Sequence, residues 1–425
     1  MKVIRSKGKG TRNAAELIAL LEARGGASLD SVLPAVKKII ADVRRQGDRA
    51  LLRYAAKFDG LAGISNLRVK PKEMQAAWDR ADPAFRQALS NAAEQIRTFA
   101  KRQMPVTWNS SPLPGLTTGQ LVRPLQSVGC YVPSGRHPLP STLLMTAIPA
   151  QVAGVQRIAV VSPKPALETL AAAHLLGITE FYRVGGAQAI AALAYGTAGL
   201  PKVGKIVGPG SLYVTAAKRL VAFDCAIDML AGPTEVIVTS ERGNVADIAS
   251  DLVAQAEHDP EALAIFITTR ADLAKKVVEE TMARSRNNSV AHEALRRNGV
   301  VIIASTVNQA HQIANRLAAE HLTVDTASDL AWVQNAGSVF IGRWSAQPMG
   351  DYISGPNHTL PTGGMARVRG GLSVNDFVKL ITVQEYSKQG VSALAKSAIL
   401  LAEAEGLIGH AEAVRTRLRN RRSRG

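Results

Sequence analysis

Cysteines and aromatic residues are scarce in this sequence. Two cysteines, Cys130 and Cys225, in 425 residues exclude a disulfide framework and a cysteine-rich zinc site. Aromatics make up only 4%, so Ala, Val, Leu and Ile must do the packing, which suits helices laid on sheets. No apolar run reaches the ~18 to 20 residues that a membrane span needs. The basic N-terminus, MKVIRSKGKGTRNAAELIALLEARGG, passes directly into an amphipathic helix with acidic residues. No secretory signal is read there, and a cytoplasmic location is expected. The full G-x-G-x-x-G fingerprint with a downstream acid is absent too, so no standard dinucleotide motif is present.

What remains is the composition of a soluble globular, enzyme-like protein: 46% hydrophobic and 20% charged, long enough for about two or three folding units. The 51 basic residues outnumber 34 acidic ones, for a net charge of +17. Such a charge invites a nucleic-acid reading. The basic residues, however, are spread over expected helices without interleaved aromatics, and no nucleic-acid module is recognisable. The exception is the tail RTRLRNRRSRG, where Arg415, Arg417, Arg419, Arg421, Arg422 and Arg424 cluster. That tail reads as a solvated terminus or a polyanion contact.

The first third reads as helical. Asn13 and Glu16 form a capping pair for a helix to about Ala23, and Val32, Val36, Ile39, Ile40 and Val43 keep the period of the next. Gly47 interrupts that helix, and Asp82-Pro83 opens a long one to about Gln103. From about Leu121 the pattern changes to strand and helix in alternation. SVGCYVP, RIAVVSP, EFYRVGG and KIVGPG form one series; TEVIVTS, LAIFITT, GVVIIAS and GSVFIGR form a second. Short β-branched runs separated by helices predict parallel sheets built from βαβ units. The helix Thr306 to Glu320 is expected to end at Glu320-His321, and the chain after Asp376 is expected to be helical to its end. The fold class is therefore α/β, with two Rossmann-like (incomplete Rossmann) parallel-sheet domains and extra N-terminal and C-terminal helical segments. The expected boundaries are 1-29 for the N-terminal segment, 30-120 with 231-375 for one α/β domain, 121-230 for the other and 376-425 for the C-terminal segment.

In parallel sheets the ligand lies at the carboxyl ends of strands. The Gly- or Pro-rich turns YVPSG, VGGAQA, GPGSL and AGPTE are the places to look, since such turns cradle phosphates through backbone N–H groups. Candidate chemistry begins in ASDLVAQAEHDPE, where Gln255 and His258 stand three apart and leave one face if the helix persists. An amide oxygen beside a neutral imidazole can hold a borderline metal. Further candidates are Glu320-His321, Asp351 with His358 in GDYISGPNH, and Glu405 with His410 in AEGLIGH. Taken singly, each of these reads as well as an ordinary structural pair. His137, His174, His292 and His311 have no such company, and Cys130 reads as a small buried residue beside a turn, not a nucleophile.

Taken together and in order, GCYVPSGRHPLPSTLLMTAIPAQVAGV, RVGGAQAIAALAYGT, KIVGPGSLYVTAAKR, IDMLAGPTEVIV, SDLVAQAEHDP, AAEHLTV, GDYISGPNHTLPTGG, GLSVNDF and EGLIGH resemble the histidinol dehydrogenase family, from about Leu51 to Val414. Members are zinc-dependent homodimers that oxidise L-histidinol to L-histidine with two NAD, the last step of histidine biosynthesis. The resemblance implies zinc ligands Gln255, His258 and Asp351 from one subunit and His410 from its partner. It makes Glu320 and His321 the acid/base pair. His321 would take the alcohol proton, and Glu320 would activate water on the bound aldehyde. Thr234, His358 and Glu405 match substrate-contacting positions, joined by His321 and the metal-binding residues; Tyr131, Gln188 and Ser211 match positions facing NAD. The chain departs from the family at Ser134, where Gly is usual, at Ser211, where Asn is usual, and at Thr234, where Ser is common. The shortened side chain at 211 puts NAD affinity in question. No membrane and no specific nucleic-acid partner is implied.

A paralogue oxidising another small polar alcohol is the alternative on the same scaffold. A non-catalytic polyanion-binding protein is the alternative from another class, and it has no chemical need for Glu320 and His321.

Overall fold

The alternation of β-branched runs and helices resolves into two parallel sheets in the computed structural model, which describes residues 1–6, 11–24, 29–61, 63, 66–134 and 138–419. Strand β1 (Lys2–Arg5) and helix α1 (Thr11–Glu22) come first, followed by α2 (Leu33–Gln46), α3 (Asp48–Asp59), α4 (Pro71–Arg80) and α5 (Pro83–Arg102). Gly47, at φ 53°, takes the left-handed turn that separates α2 from α3. Asp82 opens α5 by accepting the Ala84 and Phe85 N–H groups at 2.8 and 3.2 Å, and Pro83 supplies a first turn that needs no donor. A hairpin of β2 (Trp108–Leu113) and β3 (Leu116–Pro124) leads into the first sheet.

That sheet comprises β4 (Ser127–Tyr131), α6 (Pro140–Ala153), β5 (Arg157–Val161), α7 (Leu167–Leu175), β6 (Glu180–Tyr182), α8 (Gly186–Tyr195), β7 (Lys205–Val207), α9 (Leu212–Val221) and β8 (Ala226–Ile227). Its five strands are parallel and ordered β6-β5-β4-β7-β8, so the chain winds outward from β4 and then returns to its other side. Helices cover both faces, which is why the strands are apolar throughout. Val36, Val43 and Leu51 pack with Ile190, Leu193 and Val214 on one face; Leu89 and Ile96 pack with Leu143, Ile148 and Phe181 on the other.

The second sheet repeats this winding with β9 (Glu235–Thr239), α10 (Val245–Ala256), β10 (Leu263–Thr268), α11 (Ala271–Arg284), α12 (Ser289–Asn298), β11 (Val300–Ile303), α13 (Val307–Leu317), β12 (His321–Val324), β13 (Ser338–Ile341) and α14 (Gln347–Tyr352). Six parallel strands run β1-β11-β10-β9-β12-β13. The chain then adds β14 (Val378–Tyr386), α15 (Lys388–Ala404) and α16 (Ile408–Leu418). β14 lies antiparallel to β3, with Val378 opposite Pro124 and Tyr386 opposite Leu116, in a sheet ordered β14-β3-β2.

Several expectations are corrected here. Residues 1–29 contribute an edge strand to the six-stranded sheet, not only a helix. The helices of 30–120 do not join 231–375: α2 packs on α8 and α9, α4 on α7, and α5 on α6. Their apolar stripes find the uncovered faces of the five-stranded sheet, a pairing decided in space. The segment after Asp376 is not wholly helical, because β14 intervenes. Its apolar residues at 378, 380, 381 and 383 fit neither period cleanly, and its partner strand is remote in the chain. Finally, α13 stops at Leu317, and Glu320-His321 leads into β12 instead of closing the helix. The break is made by Ala318 at φ 49°, the one non-glycine residue in the left-handed region among the described residues.

Candidate active site

The acid/base candidates gather at the amino ends of β9 and β12, not at the carboxyl ends expected for a parallel sheet. Thr234 immediately precedes β9, and His321 opens β12. Helix α10 runs back antiparallel to β9, so its C-terminal end, with Gln255 and His258, returns to the same edge. The carboxyl mouth of this sheet is filled by its own side chains: Ser240 Oγ donates to Asp325 at 2.6 Å, the Glu241 N–H donates to the same carboxylate at 2.9 Å, and Glu241 in turn accepts the Thr269 N–H at 2.7 Å.

Glu320 is buried and accepts at Oε2 from the Thr234 hydroxyl and from the Glu235 N–H, the latter at 2.9 Å. Burial outweighs these two donors and pushes its carboxyl up to about 8. His321 is buried beside it; its Nδ1 lies 3.3 Å from the Glu235 carbonyl. A ring nitrogen facing a carbonyl must carry the proton, so Nε2 keeps its lone pair. Burial holds the imidazole below its usual range, hence neutral. Its Nδ1 lies 3.7 Å from Glu320 Oε2 and its Nε2 3.7 Å from Asp351 Oδ1. The imidazole thus stands between two carboxyl groups, placed to take a proton.

Asp351, near the end of α14, is fixed by Gln347, whose Nε2 donates to Oδ2 at 2.9 Å. The Asp351 carbonyl accepts from His358 Nδ1 at 2.8 Å, which leaves His358 Nε2 free. His321 and His358 line a cavity of about 330 Å³ with Phe340, Trp344 and Asn357.

The expectation that Gln255 and His258 share one helix face does not hold, since α10 ends at Ala256 and His258 lies in the turn beyond. The two nevertheless offer complementary donors. Gln255 is fully buried, gives its Nε2 to the Thr234 hydroxyl, and leaves Oε1 buried with no hydrogen-bond partner. His258 is exposed; its Nδ1 faces the Ala254 carbonyl at 3.1 Å, so its Nε2 is a free lone pair. An orphaned amide oxygen, a free imidazole nitrogen and a carboxylate make a donor set that fits zinc. Among the described residues, no group of three or more His, Cys, Asp or Glu closes on a metal position within the single chain. His410 and Glu405 are exposed, on α16 and at the end of α15.

The chain is matched over residues 22–418 by a family model described as histidinol dehydrogenase. The histidinol dehydrogenase of Methanothermobacter thermautotrophicus is 44% identical over 416 residues, 95% of this chain and 97% of the relative. That of Geobacter sulfurreducens is 42% identical over 424 residues, 97% of this chain and 99% of the relative. The crystal structure of histidinol dehydrogenase from Elizabethkingia anophelis superposes with a TM-score of 0.92 at 33% identity, covering 98% of each chain. The chain belongs to the histidinol dehydrogenase family.

A histidinol dehydrogenase is an NAD-dependent oxidoreductase. In the five-stranded sheet Tyr131 ends β4, Ser211 precedes α9 after the neighbouring β7, and Gln188 lies buried in the first turn of α8, which follows the edge strand β6. The turns beside them are tied internally. Asp59 accepts the Gly185 N–H at 3.1 Å and Gln188 Nε2 at 3.0 Å, and Tyr131 Oη accepts the Gly186 N–H at 3.0 Å. Asp228 accepts the Gly208 N–H at 2.7 Å and pairs with buried Lys218. Backbone donors that could cradle phosphate are thus partly engaged by the protein's own acids. Ser211 is exposed at the start of α9. Asp59, Asp228, Lys218 and Gln347 had no signal in the sequence, since their partners lie in other elements. His137, beside the YVP turn, and Arg421, Arg422 and Arg424 lie outside the described residues.

Proposed function

We propose that this chain oxidises L-histidinol to L-histidine through bound L-histidinaldehyde, passing two hydrides in turn to NAD, as the last step of histidine biosynthesis. The observation that carries this reading is the Thr234–Glu320–His321–Asp351 array set beside the orphaned Gln255 oxygen. Neutral His321 takes the alcohol proton at Nε2 as hydride leaves the carbon. The resulting imidazolium is stabilised by the Asp351 carboxylate 3.7 Å away. In the second half, ionised Glu320 takes a proton from the water that adds to the aldehyde while His321 returns its proton to the aldehyde oxygen; the emptied His321 Nε2 then accepts the hydrate hydroxyl proton as the second hydride leaves.

Gln255, His258 and Asp351, with His410 of the partner subunit, are proposed to hold zinc. When bound, zinc supplies Lewis-acid orientation and polarisation of the substrate. Thr234 and His358, with Glu405 of the partner subunit, are proposed to contact L-histidinol; Tyr131, Gln188 and Ser211 are proposed to face NAD.

A homodimer with shared sites is supported by the C-terminal arm. Leu380, Ile381, Val383, Leu400, Leu401, Leu407 and Ile408 are all exposed on one chain, far more apolar surface than a free arm sustains. No described helix is long and apolar enough to cross a membrane; a cytoplasmic enzyme is proposed. Nothing favours oxidation of another alcohol. The polyanion reading loses ground because Arg415 pairs with Glu403 and Arg419 with Glu412 inside the arm.

The test is incubation of the purified protein with L-histidinol and NAD while NADH and histidine are quantified. Two NADH per histidine is expected. A ratio near one, or free aldehyde released by the intact enzyme, would overturn the two-step reading.

A further inference from the structure

Both acid/base residues are held by the main chain of a single residue, Glu235. Its N–H donates to Glu320 Oε2 at 2.9 Å, and its carbonyl faces His321 Nδ1 at 3.3 Å. The placement of Glu235 therefore sets the placement of both. Its own side chain is almost fully buried and is gripped by Arg24, which donates through Nε to Oε1 at 3.1 Å and through a terminal nitrogen to Oε2. The Gly363 N–H adds a third bond to this carboxylate, donating to Oε1 at 2.5 Å.

Arg24 does more than neutralise this acid. The nitrogen that binds Glu235 also donates to the Leu317 carbonyl at 2.9 Å. Leu317 ends α13, and the next residue is Ala318, the left-handed break that turns the chain toward Glu320 and His321. A guanidinium on the last carbonyls of a helix satisfies an orphan acceptor and complements the helix dipole. A fourth bond, to the Leu21 carbonyl, fixes Arg24 to its own segment. One planar fork, 15% exposed, thus ties together the strand that begins just after Thr234 and the strained turn that delivers Glu320 and His321.

We propose that Arg24 and Glu235 are a positioning pair that holds Glu320 and His321 in register for both oxidation steps, a role that rests on the acid/base reading above. Neither residue reaches the substrate; both act through the backbone of residues 235 and 317–321.

Arg24→Gln, Glu235→Gln, the double variant and Arg24→Lys are compared in the full-length, zinc-loaded enzyme. Arg316→Gln is the control, because Arg316 makes a parallel tie from α13 to α1 through Glu22 without touching Glu235. For each, kcat and KM are measured for histidinol and for histidinaldehyde, alongside zinc content and melting temperature. Each single change is expected to lower kcat about 10- to 100-fold in both half-reactions, with KM and zinc content held within about threefold, as displaced supporting shells do. The double variant is expected to lose no more than the worse single one, since the pair acts as a unit. Arg24→Lys is expected to recover part of the loss, and Arg316→Gln to keep full kcat. The proposal is overturned if the single variants retain wild-type kcat, if the two losses multiply, or if Arg316→Gln loses as much as Arg24→Gln. If wild-type enzyme itself leaves L-histidinol unoxidised, the functional reading fails instead, before the pair is tested.

Discussion

His321 Nε2 stands 3.7 Å from Asp351 Oδ1, so the group proposed to accept the alcohol proton and a group proposed to hold the metal face one another across the site. On that proposal proton transfer and metal binding are adjacent functions of one cluster, with Glu320 on the other side of the ring.

Replacing Glu320 with Gln is expected to slow aldehyde oxidation ~10²-fold or more while sparing alcohol oxidation, because only the second half needs water activated. Separate assays with histidinol and histidinaldehyde decide it. Equal losses in both would make Glu320 a structural residue.

The same carboxyl sets a pH dependence. Raised from 4.5 to about 8 by burial, it must ionise to act as a base, so aldehyde oxidation is expected to rise with pH and level off above about 8. Thr234→Val removes a donor to the ionised form and should move that limb to higher pH. The linkage has the opposite sign. Between these two values the folded state keeps a proton that the unfolded state has lost, so wild type loses stability relative to Glu320→Gln as pH rises, by up to ~1.4 kcal/mol per unit. Denaturant melts of both proteins at pH 5 and pH 8 measure it.

Gln347→Leu is expected to weaken zinc binding about 10- to 100-fold, because the Asp351 carboxylate loses the amide that orients it. Competition with a chelator gives the affinity directly. Unchanged affinity would mean that Asp351 is held by its backbone alone.

Ser211→Asn should lower the Michaelis constant for NAD, with zinc content unchanged. Ser211 is exposed at the start of α9, beside a turn whose Gly208 N–H is already engaged by Asp228. A constant that stays put would show that the shorter side chain is compensated elsewhere.

His258→Ala and His410→Ala chains should each be inactive alone, yet regain activity when mixed under subunit exchange. A heterodimer has one site with both lesions and one with neither. Should heterodimers form without zinc or activity returning, His410 is no ligand of the neighbouring site.

Much of this protein was legible without coordinates. Short β-branched runs between helices specify buried parallel strands, since only strands covered on both faces are apolar throughout. Asp82 before Pro83 marks a helix start through a local bond that its own side chain makes. The family motifs, with His258, Glu320, His321 and Asp351 in order, pointed to the chemistry. Tertiary structure decided the rest, because it depended on partners remote in the chain. Helices α2 to α5 cover the five-stranded sheet and not the other, since an apolar stripe does not name the face that it will bury. Val378–Tyr386 became a strand only because β3 lay open to it, and its apolar residues Leu380, Ile381 and Val383 stay exposed on the single chain. The site sits at the amino edge of the six-stranded sheet because Asp325 and Glu241 fill the other end and Ala318 turns Glu320 and His321 into β12. Long-range bonds such as Arg24 to Glu235 and Gln347 to Asp351 then orient the chemistry, and those depend on how whole elements pack, not on any local pattern.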